Sequence, residues 1–438
     1  MNHREEWARR RRALLREMGR GAIAIQPGAG EKIRNRDVTY RFRQDSDFLY
    51  LTGFSEPGAV AVLVPGRPEG EYLLFCNPRD RDRETWTGRR IGPEGAVKHY
   101  GADQGFAIGD LDSVLPRLLE GADRIFYTMG QNGAFDRRLI DWVNRLRARV
   151  RSGVASPETF VSLEPLIHEM RLFKSRVEIA EMRKAARISV AAHRRVLRKL
   201  APGLHEYEVA AEVLHEFMQA GCEEAYGTIA GGGANACILH YTQNSELLMA
   251  GDLLLLDAGC ESRGYASDIT RTFPVNGVFS PEQRAIYDIV LAAQEEAIAA
   301  CRHGRHWNEP HDATVRVITQ GLVRLGLLKG PVRELIRDRA YEEFYMHRAG
   351  HWLGLDVHDV GSYKIDGHWR ELEPGMVLTV EPGIYIRPGS RRVGRHFQGI
   401  GIRIEDNVLI TPKDPDVLTR QLVKSAADIE KAMHVGRP

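Results

Sequence analysis

The chain has 438 residues, 43% of them hydrophobic and 27% charged, with a formal net charge of +2. That length exceeds what one domain usually holds, and the composition is that of a soluble globular protein. So even a charge balance excludes a whole-protein field for nucleic acid or an anionic membrane surface.

The N-terminal part reads as an alternating α/β unit. A first helix runs to about Met18, with Trp7, Leu14, Leu15 and Met18 on its apolar side. Arg9-Arg10-Arg11-Arg12 reads as the polar face of that helix rather than a phosphate-binding arm, because the run is short and acidic residues flank it. Arg16-Glu17 interrupts the apolar stretch, which rules against a signal peptide. No run approaches the roughly 20 apolar residues of a membrane span. The five cysteines (Cys76, Cys222, Cys237, Cys260, Cys301) are odd in number and form no CxxC. Reduced thiols and a cytoplasmic location are therefore expected. Cys260 lies close to Asp257 but reads as a buried thiol, since carboxylate-rich sites prefer hard oxygen ligands. Short apolar runs at residues 22–25, 48–51, 59–63, 72–75 and 124–127 predict strands. Residues 111–119 and 137–149 predict helices, the first with Asp110 or Asp112 as cap and Pro116 inside it.

A boundary falls near residue 172, giving expected domains 1–172 and 173–438. Ser175-Arg176-Val177-Glu178 is a capping box, with serine at the N-cap and glutamate three residues later. The helix it opens runs towards Leu200, Pro202-Gly203 stops it, and a second helix covers about 206–220. From about 221 the pattern turns to strands carrying acidic residues (251–257, 267–273, 377–381, 400–405), with helices at 281–300 and 314–325. The C-terminal half is thus α+β. His303, His306 and His311 read as a polar loop over 302–312 rather than a surface metal site.

Asp257, Asp268, His351, Glu381 and Glu405 each end a strand, start one, or sit in a dense His/Gly segment. Four carboxylates that converge repel one another and lose water, so protons or cations must neutralise them. Two divalent ions would bring a matching charge. Oxygen donors with one imidazole suit Mn²⁺, Co²⁺ or Zn²⁺. In residues 399–405 the three isoleucines share one face, while Gly399, Gly401, Arg403 and Glu405 share the other, where glycines leave room for a ligand. Thr379 and Glu381 point one way in their strand, and Pro382-Gly383 ends it just beyond the acid. Asp257 and Asp268, 11 residues apart with Gly259 and Gly264 between, would oppose each other in an antiparallel pair. Residues 347–359 hold His347, His351 and His358 with Gly350 and Gly354 for close approach, and contain no HExxH.

These segments resemble the proline-specific metallopeptidases of the pita-bread superfamily, which includes creatinase and methionine aminopeptidase, and within it the bacterial aminopeptidase P family. The resemblance lies in Leu256-Asp257-Ala258-Gly259, Asp268-Ile269-Thr270-Arg271-Thr272, residues 351–359, residues 373–383 and Gly401-Ile402-Arg403-Ile404-Glu405-Asp406. Residues 40–48 and Gly53-Phe54 add to it in the N-terminal half, so it spans nearly the whole chain. It implies an α/β creatinase-type N-terminal domain and an α+β pita-bread catalytic domain. It also implies Asp257, Asp268, His351, Glu381 and Glu405 as ligands of two divalent ions, Mn²⁺ first, with Asp268 and Glu405 bridging. His240, His347 and His358 are implied around the substrate, Arg403 behind the ligands, Gly231-Gly232-Gly233 as a loop near the site, and Tyr226 and Trp86 at the pocket. Trp86 would come from a neighbouring subunit; read by itself it is a packed or exposed loop aromatic.

The expected activity is release of an N-terminal residue from peptides with proline second, by a hydroxide bridging the ions, with Glu381 as general base. The alternatives are a prolidase acting on Xaa-Pro dipeptides, a metal-free creatinase-type amidinohydrolase, and a catalytically dead pita-bread binding module. The last two are disfavoured because all five ligand positions are filled. Peptides are the expected partners, with no nucleic acid and no membrane, in a homotetramer or homodimer.

Overall fold

The computed structural model describes residues 2–391 and 393–435; Met1, Arg392 and residues 436–438 lie outside the described residues. The chain divides into two units, Met1–Arg171 and Leu172–Pro438.

The N-terminal unit is built on a six-stranded sheet. Its order is Gln104–Ala107, Tyr72–Cys76, Val60–Leu63, Ala22–Pro27, Arg124–Phe126, Thr159–Val161. Val60–Leu63 is antiparallel to both its neighbours, and the outer pairings are parallel. Leu111, Leu115 and Leu119 recur every four residues along helix Leu111–Leu119, so one stripe faces the sheet core with Leu139, Trp142 and Val143 of helix Gly133–Arg147. Asp110 stands at the N-cap without a side-chain cap bond, and Asp112 Oδ1 instead accepts from the Trp142 indole N–H at 2.9 Å.

Two expectations are corrected here. Residues 48–51 are not a strand but part of helix Ser46–Thr52. The run is buried all round, so its apolarity carries no period, and the local signals decide. Asp45 Oδ1 caps the Phe48 N–H at 2.8 Å, and Gly53 closes the helix in the left-handed region at φ 67°. A Cβ at Gly53 would stand 2.0 Å from the Trp7 ring, which adds a packing reason for glycine. The arginine run lies on helix His3–Met18, as read, yet Arg10 and Arg11 do not face water. Both are buried, donate to the carbonyls of Tyr50 and Leu51 at 2.9 and 2.8 Å, and stack over the rings of Tyr50 and Tyr72. They satisfy the open C-terminal carbonyls of the helix at 46–52.

The C-terminal unit packs helices around several short sheets. Ser175 and Glu178 form the reciprocal cap that opens helix Arg176–Lys199, which lies against helix Glu206–Gln219. Pro281–Ala300 pairs with Glu309–Arg324. The latter starts earlier than expected, with Pro310 in its first turn, so His311 is helical rather than in a loop. Strands Ile229–Gly232, Leu253–Asp257 and Thr270–Pro274 form one antiparallel sheet, Val377–Val380 pairs Asp406–Leu409, and Gly383–Ile386 pairs Ile400–Arg403. Leu254, Leu256, Phe273, Ile402 and Ile404 meet the helices in one core.

His193 lies in that interior, fully buried on helix 176–199, with Nδ1 donating to the Ser189 carbonyl at 3.0 Å. Burial, above all, pushes its pKa down to about 4. An unfolded histidine takes its proton near pH 6.5, so this group's contribution is present above that pH and is lost as pH falls towards 4. It is expected to remove about 3 kcal/mol of unfolding free energy across that window. Denaturant titrations at several pH values should give a flatter profile for His193→Leu; parallel profiles refute this.

Candidate metal centre

Asp257 ends strand Leu253–Asp257, and Asp268 lies just before strand Thr270–Pro274. They are not opposite one another, since Asp257 pairs with Thr270. The connection contains its own small hairpin, Cys260–Ser262 with Tyr265–Ala266, which sets Asp268 two residues beyond the register partner. Gly259 permits that path: a Cβ there would stand 1.8 Å from the Ser267 carbonyl oxygen. Asn407 then grips both sides of the Asp268 peptide, accepting its N–H at 3.1 Å and donating to its carbonyl at 2.5 Å.

The other glycines serve backbone packing too. A Cβ at Gly401 would meet the Ala236 carbonyl oxygen at 2.2 Å, and one at Gly350 the Thr379 carbonyl oxygen at 2.0 Å. The space expected for a ligand beside Gly401 is thus filled by the chain itself.

The five expected ligands gather in this unit. Asp268, His351 and Glu405 offer ligand atoms within 4.8 Å of one another. His351 Nε2 lies 3.4 Å from Asp268 Oδ2 and 3.6 Å from Glu381 Oε1. The Tyr226 hydroxyl stands 2.6 Å from Asp257 Oδ1 and 2.5 Å from Asp268 Oδ1, which ties the remaining aspartate to the group. Arg403 Nη2 pairs with Asp257 Oδ2 at 2.5 Å, and the Thr270 hydroxyl donates to Glu405 Oε2 at 2.7 Å.

Charge is short in this group. Four buried or nearly buried carboxylates face one arginine, and a tyrosine hydroxyl has a single proton for two acceptors. Burial, then neighbouring carboxylates, hold Glu405 well above the usual carboxylate range. Burial raises Glu381 to about 7 against the pull of His351 and Arg403. Asp257 is raised by burial, against Arg403. Burial works the same way on Asp268, but its hydrogen bond to His351 and that ring's charge outweigh it and bring Asp268 below its ordinary value. His351 rises to about 9: burial opposes its charge, and Asp268 and Glu381 overcome burial. The proton on Nε2 stands where a cation would.

The imidazole is also turned for a metal. His351 Nδ1 is 2.9 Å from the Trp352 carbonyl oxygen, which can only accept. Nδ1 therefore carries a proton of its own, and Nε2 is the nitrogen aimed at the carboxylates, so that a cation displacing the Nε2 proton would meet its lone pair, the arrangement of metal-bound histidines. The donor set fits divalent cations.

The His358 ring packs edge-on against His351 with centroids 4.3 Å apart. His347 Nδ1 donates to the Arg348 carbonyl at 2.8 Å, and Nε2 lies 2.9 Å from the Tyr385 hydroxyl. Burial first, then Arg403, push His347 down to about 3, so it is neutral. His240 is exposed, and its charge bears on both His347 and His358. Trp86 belongs to the other unit, on helix Arg81–Thr87, and is 88% exposed. Cys260 is fully buried, its thiol near the Ala185 carbonyl and raised to about 12 by burial, so it is no thiolate ligand.

Residues missed from the sequence include Tyr385, which links His347 to Arg403 Nη1 at 3.1 Å, and Asn407. Thr379, placed on the face of Glu381 from the sequence, has a further task that spacing did not show: its hydroxyl accepts the His351 N–H at 3.1 Å. The signal for Thr379 and Tyr385 was strand alternation, which puts them on the faces of Glu381 and Gly383. Arg271 also escaped, although its fully buried guanidinium donates to the Glu405 carbonyl at 2.6 Å and pairs with Asp406 at 2.8 Å.

The fold and the cluster define a class: the chain belongs to metallopeptidase family M24, whose model matches residues 180–412, and its C-terminal unit is the pita-bread domain. The aminopeptidase P N-terminal domain matches residues 7–127. Xaa-Pro aminopeptidase of Escherichia coli is 45% identical over 436 residues, 99% of this chain and 98% of that protein. The Haemophilus influenzae Xaa-Pro aminopeptidase is 43% identical, over 98% and 97%. The structure of Pseudomonas aeruginosa aminopeptidase PepP superposes with TM-score 0.98 at 55% identity, covering 99% of both chains. A zinc-substituted E. coli aminopeptidase P in complex with product gives 0.97 at 45% identity, over 100% and 99%. Within the family, the chain is of the bacterial aminopeptidase P type.

Proposed function

We propose that the protein is a metal-dependent Xaa-Pro aminopeptidase, releasing the N-terminal residue from peptides with proline in second position. The observation that carries this is His351, whose Nδ1–H is committed to a carbonyl so that Nε2 faces a buried, charge-deficient carboxylate group. Asp257, Asp268, His351, Glu381 and Glu405 would hold two divalent ions, Mn²⁺ first, with Co²⁺ or Zn²⁺ as alternatives. Bound there, such ions supply a water of lowered pKa and a Lewis acid for the carbonyl.

The side chains supply the rest. The scissile bond is a tertiary amide without an N–H, so a site that grips an ordinary backbone loses a contact. Glu381 takes the proton of the attacking water. His358, beside His351, donates to the oxygen on which negative charge develops. Neutral His347 lies on the proline side, His240 contacts the substrate, and the acidic rim attracts the free α-amino group. Arg403 fixes Asp257 and the Tyr385 hydroxyl. Residues 173–438 carry catalysis, and the chains assemble as a homotetramer or homodimer, with Trp86 reaching a neighbour's pocket. A cytoplasmic location accords with five free, buried cysteines. No helix among the described residues is long and apolar enough to cross a membrane.

Treatment with a chelator is expected to abolish cleavage of an Xaa-Pro-Yaa tripeptide, and added Mn²⁺ to restore it. Undiminished cleavage by protein stripped of metal would overturn this reading. Cleavage of Xaa-Pro dipeptides alone would turn it into a prolidase.

A further inference from the structure

We infer that Glu206 is a positioning residue for His240, acting through the strip of chain that carries this histidine; the inference rests on the substrate role proposed for His240. Glu206 opens helix Glu206–Gln219 and is fully buried. Its carboxylate accepts four hydrogen bonds. Oε1 takes the Gly232 N–H at 2.7 Å and the Asn235 amide at 3.0 Å. Oε2 takes the Tyr241 hydroxyl at 2.7 Å and the Glu246 N–H at 2.9 Å.

Those donors come from three places: the end of strand Ile229–Gly232, the 3-10 turn Gly233–Cys237, and residues 241–246. Residues 241–245 have no helix or strand of their own; backbone pairing begins only at the Glu246 carbonyl, which accepts the Glu206 N–H at 3.0 Å, six residues beyond His240. Side chains hold this strip instead. Tyr241, next in the chain, is 6% exposed and hangs its hydroxyl on Glu206. Asn244 pins the far end, accepting from the Ala230 N–H at 2.9 Å and donating to the Thr228 carbonyl at 2.8 Å. His240 is left exposed just ahead of these anchors, bracketed by Asn235 and Tyr241, which both bond Glu206. Only a carboxylate suits the centre of this clamp, because it accepts at every lone pair and donates nowhere. An amide of the same shape would aim N–H groups at two of the donors, which leaves buried polar groups unpaired.

The test compares wild type, Glu206→Gln, Tyr241→Phe, His240→Ala and the Glu206→Gln/His240→Ala pair, full length and Mn²⁺-loaded, on a penultimate-proline tripeptide. Glu206→Gln is expected to lower kcat/KM about tenfold, chiefly by raising KM, and by less than about twofold in the His240→Ala background. Tyr241→Phe loses one of the four bonds and should move KM the same way by less, which keeps the test open if the glutamine variant folds poorly. Hydrogen exchange should quicken over residues 238–246 in both variants, with 253–257 and 400–405 unchanged. Equal losses in both histidine backgrounds, or unaltered exchange over 238–246, overturn the inference. A wild type that cleaves no such peptide sinks the aminopeptidase reading alone, and the exchange data then decide the clamp.

Discussion

Glu381→Gln is expected to cut kcat on the order of 10²- to 10⁴-fold, the span a positioned general base contributes. The substitution keeps shape and volume at the end of strand Val377–Val380 but leaves nothing that takes up a proton. Fold and stability should move the other way. Glu381 is raised to about 7, first by burial and then by Asp268 and Asp257, against His351 and Arg403. A carboxyl whose folded pKa is raised favours the folded state at low pH and costs stability as pH rises from about 4.5 to about 7. The metal-free glutamine variant never develops that charge. It should therefore be more stable than metal-free wild type at pH 8, with the difference vanishing as pH falls below about 4.5. Turnover and thermal unfolding on the same preparations give both readings. Near-normal kcat in the loaded variant removes Glu381 from its role.

What could be read beforehand followed the range of each interaction. Helix Arg176–Lys199 announced itself through Ser175 and Glu178, whose cap spans three residues, and the leucine stripe at 111, 115 and 119 is equally local. The helix at 46–52 was missed because burial on every side erased its period, leaving a single capping aspartate to speak for it. Arg10 and Arg11 looked like solvent charges because their acceptors, the carbonyls of Tyr50 and Leu51, lie 40 residues away.

The candidate site divides along the same line. Strand ends and the His/Gly segment put Asp257, Glu381 and His351 in view, and the family resemblance supplied the ligand set as a whole. The partners that orient those ligands are distant in sequence: Arg403 and Asp257 are 146 positions apart, and Asn407 and Asp268 are 139 apart. Glycine was read correctly as close approach at Gly350, whereas the room for a ligand read at Gly401 is filled; in both places the approaching group is backbone, a distinction spacing cannot make.

Arg271→Met is expected to destabilise the C-terminal unit by about 3–5 kcal/mol, the cost of leaving a buried partner charge unpaired. Arg271 and Asp406 are 0% and 1% exposed and pair at 2.8 Å. Asp406 keeps the Thr419 hydroxyl at 2.6 Å and the Gln294 amide at 2.8 Å, both neutral donors, and the Lys424 ammonium at 3.5 Å. Burial works against ionisation of Asp406, yet Arg271 and Lys424 bring it below the usual carboxylate range. A depressed acid contributes stability above its unfolded pKa and loses it as pH falls through the folded value. The gap between variant and wild type should thus be widest near neutrality and narrow on acidification, since a protonated Asp406 no longer needs the guanidinium. Arg271→Met/Asp406→Leu should recover much of the loss, because the buried ion pair is gone and the Lys424 ammonium that remains is partly exposed and keeps the Gln294 amide oxygen at 2.8 Å. The same guanidinium holds the carbonyls of Thr270 and Glu405 at 2.9 and 2.6 Å, so the double variant regains stability without regaining the alignment of Glu405. Its unfolding midpoint should approach wild type while its metal affinity stays low. A double variant that binds Mn²⁺ as wild type does would show that Arg271 supports only the fold.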